Sequence, residues 1–298
     1  MSKPLFIHGH SGINMSPGPN FEIFFKATGD DTDGLFDYFD LRVGHLEGFP
    51  MHIHAVQYET FHIVEGELLL QEAGEWVVAK KGDFVLVPKN TEHTFVNVRR
   101  TVAHSLGVVS PGGFEKFVEA MKAETDATGG HPDPKKVEEL CVQYNQKFTG
   151  PSLAVSLRLV PEPEKAAEFE KELDALQGDW TVVASEGRGE TRSPEDIIEH
   201  PGLVQIDGNK MRNYVKDRED FDGVARFDPT ATPKTIDFLG LTQGHPSYGK
   251  MGLGIYELQG DTLRICWAIM GLKDGRPTQF SNRPDENQAI NTYARQRT

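Results

Sequence analysis

Residues 21–109 read as a succession of short strands, and this pattern constrains the fold more than any other feature of the sequence. Gly, Pro, Asp and Asn separate the apolar runs, and helical periodicity is almost absent. The strand signal is clearest at residues 58–71 and 83–87. Short strands at this spacing are typical of an antiparallel barrel or sandwich, so we predict that the chain begins with an all-β domain.

Two amphipathic helices are predicted after this region. Apolar side chains recur there at i, i+3, i+4 and i+7. The two sets are Phe114, Phe117, Val118 and Met121, then Val137, Leu140, Cys141 and Tyr144. Asp133 is placed as the N-cap of the second helix and Pro134 as its first residue, and Gly150-Pro151 ends the segment.

A second all-β domain is predicted in the C-terminal part of the chain. A charged helix at residues 161–176 precedes strands that resume at Trp180 and continue to about Phe280. Asp207-Gly208 and Gly260-Asp261 are hairpin signals within it. A length of 298 residues fits two domains. We therefore predict one domain over residues 1–152, a linker and helix over 153–171, and a second domain over 172–298.

The charge balance excludes two classes of partner. The chain holds 45 Asp and Glu against 31 Lys and Arg, a net charge of -14, so we expect neither nucleic acid nor an anionic membrane as a partner. The 2 cysteines are far apart and have no CxxC neighbour, which argues against a disulfide framework. The first seven residues lack the apolar run of a signal peptide, so we expect a cytoplasmic protein.

The strongest chemical signal is the set His52, His54, Glu59 and His93. Residues two apart in a strand point to the same face, so His52 and His54 present two imidazoles to one interior point. Glu59 adds a carboxylate from the next strand, and His93 arrives from a distant one. Three nitrogen ligands and one oxygen ligand suit one divalent transition metal ion per chain: Fe(II), which we favour, or Mn, Co, Ni or Zn.

Other histidines carry weaker signals. His62 lies three residues after Glu59, on the opposite face of the strand, and we expect it at the surface or in an interface. His8 and His10 form a second HxH pair with no nearby carboxylate, and we interpret them as part of an arm or edge strand. Nothing in the spacing decides whether His45 and His104 line the barrel.

The first half of the sequence resembles the cupin family. Gly48, Pro50, the HxH pair, Glu59 and Gly66 follow the spacing of the first cupin motif. Residues 82–97 resemble the second motif, except that Asn90 stands where the family usually has Gly, a change that a left-handed turn tolerates. Residues 110–115 and the following helices are similar to the tail of quercetin 2,3-dioxygenase-like cupins. The resemblance covers about residues 15–152 and implies a double-stranded β-helix, or jelly roll.

The resemblance also implies a function. A quercetinase-like dioxygenase would bind its metal through His52, His54, His93 and Glu59, chelate a small substrate with enol and carbonyl oxygens, and use Glu59 as the catalytic base. Phe61, Phe84 and Phe95 would form an apolar wall or pack in the core. Molecular oxygen is the second substrate, no organic cofactor is implied, and cupins commonly form homodimers. Two alternatives stay open: a non-oxidative isomerase or lyase with the same metal as Lewis acid, and a metal-dependent small-molecule binding protein.

The second half resembles a lipocalin-like bacterial domain of the planctomycete type. The resemblance rests on Gly178-Asp179-Trp180, on residues 260–266 and on residues 275–280. It implies an antiparallel barrel in which Trp180 closes one end, often against an Arg of the last strand, for which Arg276 and Arg283 are candidates. Trp180, Trp267, Phe238 and Phe280 are expected in the core. We favour a structural role for this barrel over a ligand-binding one.

Overall fold

The computed structural model describes residues 4–9, 11–216, 218–268 and 275–296. The chain divides into two compact units, Met1–Leu157 and Arg158–Thr298. Strands dominate both units, as the sequence predicts. None of the helices in the described part of the chain has the length and hydropathy that crossing a bilayer requires.

The N-terminal unit is built from two antiparallel sheets. Its strands are β1 (Ile13–Asn14), β2 (Phe21–Ala27), β3 (Asp37–Val43), β4 (Pro50–His54), β5 (Tyr58–Glu65), β6 (Glu67–Glu72), β7 (Glu75–Lys80), β8 (Phe84–Val87), β9 (His93–Val96), β10 (Ala103–Ser110) and β11 (Gln146–Ser152). The larger sheet has the order β1, β2, β3, β10, β5, β8, and the smaller has the order β11, β4, β9, β6, β7.

The core of this unit is formed by the side chains that alternate inward along its strands. In β10 buried and half-buried residues alternate along the whole strand, and β5 buries Glu59, Phe61 and Ile63 while its other residues face outward. Phe25, Phe39, Phe61 and Phe95 are among the largest fully buried side chains. The inward positions of both sheets therefore enclose one core, and Glu59 points into it.

The two predicted helices are confirmed as α1 (Phe114–Ala127) and α2 (Pro134–Gln143). Asp133 caps α2, and its carboxylate accepts a hydrogen bond from the Lys135 amide. The chain after α2 differs from the prediction, because β11 returns to the smaller sheet and pairs with β4 before the short helix α3 (Leu153–Ser156). Gly150 and Pro151 thus lie inside a strand and do not simply end the segment.

The C-terminal unit is a closed antiparallel barrel. A 3-10 turn (Pro163–Lys165), α4 (Ala166–Leu176) and α5 (Pro194–Glu199) accompany the strands. The strands are β12 (Gly178–Gly187), β13 (Glu190–Thr191), β14 (Gly202–Asp207), β15 (Lys210–Val215), β16 (Arg218–Asp228), β17 (Thr235–Gly240), β18 (Met251–Gln259), β19 (Thr262–Ala268) and β20 (Gln288–Arg295). Because β12 pairs with both β14 and β20, eight strands close the barrel, and β13 is an addition to β12.

Both predicted hairpins are confirmed, but the predicted end of the strand region is wrong. Residues 207–208 lie at the turn between β14 and β15, and residues 260–261 lie between β18 and β19. The last strand, β20, follows Phe280 and closes the barrel. Its sequence is rich in polar residues, since β20 is only half-buried along most of its length.

Trp180 fills one end of the barrel, as the resemblance implies. Its indole is fully buried and its Nε1 donates to the carbonyl of Leu176, the last residue of α4. The arginine against it is Arg295, whose guanidinium lies 4.1 Å from the ring centroid. The candidates Arg276 and Arg283 are wrong: Arg276 donates to backbone carbonyls of β17 and β18, and the Arg283 side chain is 69% exposed.

Candidate metal centre

Four predicted ligands meet inside the N-terminal unit. His52 and His54 lie on β4, and His93 lies directly opposite His52 on the neighbouring strand β9. Glu59 comes from β5 in the other sheet. The two sheets therefore bring three imidazoles and one carboxylate to a single point between them.

The side-chain atoms of this cluster are close enough to share one ion. His93 Nε2 lies 2.8 Å and His54 Nε2 lies 3.3 Å from Glu59 Oε2, and the Nε2 atoms of His52 and His54 are 3.2 Å apart. All four ligand atoms lie within 4.8 Å of one another. Ligands about 2.1 Å from one metal are separated by roughly 3.0–4.2 Å, so shifts of about 0.6 Å or less would bring the donor set to the spacing of a mononuclear site.

Backbone carbonyls orient two of the three imidazoles. His52 Nδ1 lies 2.8 Å from the Pro50 carbonyl, and His93 Nδ1 lies 3.0 Å from the Thr91 carbonyl. A carbonyl only accepts, so each Nδ1 carries the proton. Nε2 of each ring is therefore the nitrogen turned toward the other ligands, which is the arrangement that metal-binding histidines use.

Two backbone positions shape the strands that carry the ligands. Asn90 has φ 62°, which confirms the left-handed turn, and its amide donates to the carbonyl of His54. A Cβ on Gly48 would lie only 1.9 Å from the Phe95 carbonyl, so no other residue fits there without moving β9. Gly48 and Asn90 thus both help to set the spacing between β4 and β9, the strands that carry the three histidines.

The electrostatics of the cluster favour a bound cation. Burial alone would raise the pKa of Glu59, but hydrogen bonds from His54 and His93 outweigh burial and hold the pKa below its ordinary value. Burial, with the neighbouring imidazoles of His93 and His54, lowers the pKa of His52 well below its ordinary value. Burial would lower the pKa of His93, but the hydrogen bond to Glu59 outweighs it and raises that pKa. The cluster thus holds a buried carboxylate anion, whose charge a bound cation would neutralise.

Comparison with known proteins agrees with this geometry. The family model described as "Cupin domain" matches residues 39–109, which include all four residues of the cluster. Residues 39–109 form a cupin domain. Two curated relatives are quercetin 2,3-dioxygenases: one from Bacillus subtilis (strain 168), 29% identical over 114 residues, and one from Aspergillus japonicus, 32% identical over 98 residues.

The matches cover limited parts of each chain. The Bacillus subtilis alignment takes in 38% of this chain and 33% of the relative, and the Aspergillus japonicus alignment takes in 30% and 28%. The chain thus spans about a third of the length of the curated relatives it matches. Among solved structures, an RmlC-like cupin from Shewanella frigidimarina is 18% identical and covers 39% of this chain and 99% of its own, with a TM-score of 0.34.

Apolar and amide side chains of the N-terminal unit surround the cluster. Phe114, the first residue of α1, packs its ring edge against His54 at 5.2 Å. Gln57 and Gln146 are buried and hydrogen bonded to each other at 2.7 Å, and Gln146 lies opposite His54 in the sheet. We did not predict these two residues, because the signal for Gln146 is its place on β11, a strand without a clear sequence pattern.

The remaining predictions, which concern aromatic residues and histidines, are only partly confirmed. Phe61 and Phe95 are buried in the core, but Phe84 is 62% exposed, so its place in an apolar wall is wrong. His62 is exposed, as predicted, and so is His8, whereas His10 lies outside the described residues. His104 is on the outer face of β10, with Nε2 2.9 Å from an Asp40 oxygen, and His45 is half-buried in the turn after β3.

Proposed function

We propose that the chain is a mononuclear metal-dependent oxygenase of the quercetinase type. The observation that carries the proposal is the buried convergence of His52, His54, Glu59 and His93 in a cupin domain that aligns with two quercetin 2,3-dioxygenases. The proposed substrates are molecular oxygen and a small organic molecule with neighbouring enol and carbonyl oxygens. The cytoplasm is the compartment that we propose for this reaction.

His52, His54, His93 and Glu59 would hold the ion, with Fe(II) as the favoured metal and Mn, Ni, Co or Zn as alternatives. When bound, such an ion supplies Lewis acidity that lowers the pKa of an enol hydroxyl. The imidazoles of His52 and His93 are held in place by the carbonyls of Pro50 and Thr91, so they keep their orientation when substrate enters.

Glu59 is the proposed general base. Glu59 is a carboxylate in the cluster, and one oxygen, Oε2, is held between His93 and His54. A carboxylate within hydrogen-bond reach of an enol hydroxyl can accept its proton. The resulting enolate is electron-rich and is the species that we propose reacts with oxygen. The rings of Phe49 and Phe148 pack against His52 and that of Phe114 against His54, and this apolar surrounding strengthens the electrostatic interactions of the cluster.

Oxygen consumption tests the proposal. Purified protein loaded in turn with each of the five metals would be assayed against a panel of flavonols and 1,3-diketones. Glu59→Gln should retain the fold and lose about 100-fold or more in turnover, because a general base typically contributes that much. Glu65→Gln, on the exposed end of the same strand, is the matched control and should keep full activity.

The same assay separates the alternatives. Product formation under argon would show that the reaction needs no oxygen and would support an isomerase or lyase that uses the same site. Saturable binding of the flavonols or diketones without any product would support the alternative that the chain is a metal-dependent small-molecule binding protein. Full turnover in Glu59→Gln would remove the proton-transfer role of that residue.

A further inference from the structure

The C-terminal barrel contains a cavity of about 230 Å³ at the end opposite Trp180. Inward residues of β12 to β20 near Trp180 are large and fully buried, among them Tyr256 and Ile265. At the other end, Gly252 on β18 and Ala289 on β20 are small and leave the space unfilled. The cavity is therefore a local opening in an otherwise filled barrel, and Phe238 and Trp267, which we expected only in the core, form part of its wall.

The described part of the cavity wall is largely aromatic. Phe238 packs edge to face against Phe221 at 5.7 Å and against Trp267 at 6.2 Å. None of the described residues that line the cavity is Asp, Glu, Lys or Arg. A carboxylate or ammonium ligand would be buried there without a counter-charge, at a cost of several kcal/mol, so the ligand that fits is neutral.

Asn213 supplies an unused hydrogen-bond donor. It lines the cavity from β15, and its Nδ2 is buried without a hydrogen-bond partner among the described residues. Leaving such a donor unsatisfied costs about 1–3 kcal/mol. An acceptor oxygen on a ligand would remove this cost, whereas a purely apolar ligand would not.

His245 is a second, firmly held polar group in the wall. Its Nδ1 accepts hydrogen bonds from the amide of Ser247 at 3.2 Å and from the Ser247 hydroxyl at 2.6 Å. In the neutral ring the proton is therefore on Nε2. The imidazole stacks on Phe221 at 4.9 Å, and backbone hydrogen bonds from Gly249 and Lys250 to Gly240 and Ser247 hold the surrounding loop.

We propose that this cavity binds a small neutral aromatic molecule that carries a carbonyl oxygen, and that the Asn213 amide donates to that oxygen. A cavity of about 150 Å³ accommodates benzene, so this one has room for a single ring with a short substituent. The aromatic wall contacts the ring, and the absence of charge in the described wall excludes ionised ligands. This site is separate from the metal centre and lies wholly within the second unit.

Acetophenone titrated into the full chain tests the proposal, with Trp267 fluorescence and calorimetry as readouts. We expect a Kd of about 1 mM or below for a ligand of this size. Benzoate, which has the same ring and a charge, should bind at least about tenfold more weakly. Ala289→Phe should abolish binding, since Ala289 lies opposite Trp267 on the inward face and the new ring fills the cavity.

A comparison of ligands isolates the role of Asn213. Asn213→Leu should reduce the preference for acetophenone over ethylbenzene by about tenfold, because only the ketone accepts a hydrogen bond. Gln259→Leu, an exposed amide on the same barrel, is the matched control and should change nothing. No saturable binding of acetophenone, equal binding of benzoate, or an unchanged preference in Asn213→Leu would each overturn the proposal.

Discussion

At the scale of single residues, buried polar groups determine what each part of the molecule can do. His52 and His93 are suited to metal binding because backbone carbonyls hold the proton on Nδ1 and leave Nε2 for the centre of the cluster. Asn213 is informative for the opposite reason, since its amide has no partner in the described structure. In the metal cluster and in the barrel cavity, the hydrogen bonds that a buried group makes or lacks indicate what it could bind.

Glu115 gives a prediction about stability and pH. It is buried at the start of α1, and burial and the neighbouring Asp37 carboxylate raise its pKa to about 7 from an ordinary 4.5. Between these two values the folded chain binds a proton that the unfolded chain does not. The contribution of Glu115 to the free energy of unfolding therefore falls as pH rises from about 4.5 to about 7, and the loss is complete above that range.

Glu115→Gln should remove this loss. We expect the variant to be more stable than the wild type at pH 8, by an amount on the order of 1 kcal/mol, and the difference to disappear near pH 4.5. Urea unfolding at a series of pH values measures it. Glu119→Gln, on the exposed side of the same helix, is the control and should follow the wild type. A Glu115→Gln variant with the wild-type pH dependence would contradict the assignment.

At the scale of elements, the C-terminal end of α4 is joined to the last strand of the barrel. Arg295 on β20 donates to the carbonyls of Ala175 and Gln177, each at 2.5 Å, and covers the Trp180 ring. These carbonyls have no partner within the helix, and a cation near a helix C-terminus is favourable. One side chain thus fastens α4 over the filled end of the barrel.

Arg295→Met should therefore destabilise the barrel by about 1–3 kcal/mol, because it removes the hydrogen bonds and the cation–π contact while keeping much of the apolar stem. Denaturant unfolding followed by tryptophan fluorescence measures the change. Arg283→Met is the matched control, since that side chain is 69% exposed, and should leave the midpoint unchanged. Equal midpoints for both variants would show that Arg295 does not fasten α4.

The sequence predicted elements where a local pattern coincided with burial. The i, i+2 spacing of His52 and His54, the two hairpin signals and the capped helix α2 are all local, and each is present in the structure. Strands β11 and β20 were missed because both are only partly buried and their sequences contain few large apolar residues. Their places depend on pairing with β4 and β12, which lie far away in sequence.

More of the metal-binding cluster than of the residues around it could be predicted from the sequence. Glu59 was identifiable because it follows the HxH pair at a fixed spacing, but Gln57 and Gln146 meet only through tertiary contacts. The error over Phe84 has a simple cause: β8 alternates exposed and buried residues, and only Val85 and Val87 face the core. Arg295 and the barrel cavity likewise depend on how distant strands close, which no short motif records.

At the scale of the whole molecule, two units with separate cores contain the two proposed sites. The contacts assign α3 to the first unit and α4 to the second, where Leu176 is fully buried in the barrel core. The domain limits at residues 152 and 172 stay a prediction. We also propose that two copies of the chain associate, since Phe84 and Leu86 are exposed side by side on β8, the edge of the larger sheet in the described residues.

Light scattering tests this association. We predict a mass of twice the 33.2 kDa of one chain. Phe84→Lys should convert the dimer to the monomer, because it places a charge in the apolar contact, whereas Val102→Lys, at an exposed position away from β8, should not. A monomeric mass for the wild type, or a dimer that survives Phe84→Lys unchanged, would contradict this interface.

Metal binding by the four-residue cluster is tested by the metal content of the purified chain and of a variant, measured by elemental analysis after loading with Fe(II), Mn, Ni, Co or Zn. We expect about one ion per wild-type chain and its loss in the His52→Ala, His93→Ala double variant, with the fold retained. His62→Ala, which removes an exposed histidine from β5, should bind as the wild type does. Equal metal content in the double variant and the wild type would show that His52 and His93 do not bind the ion.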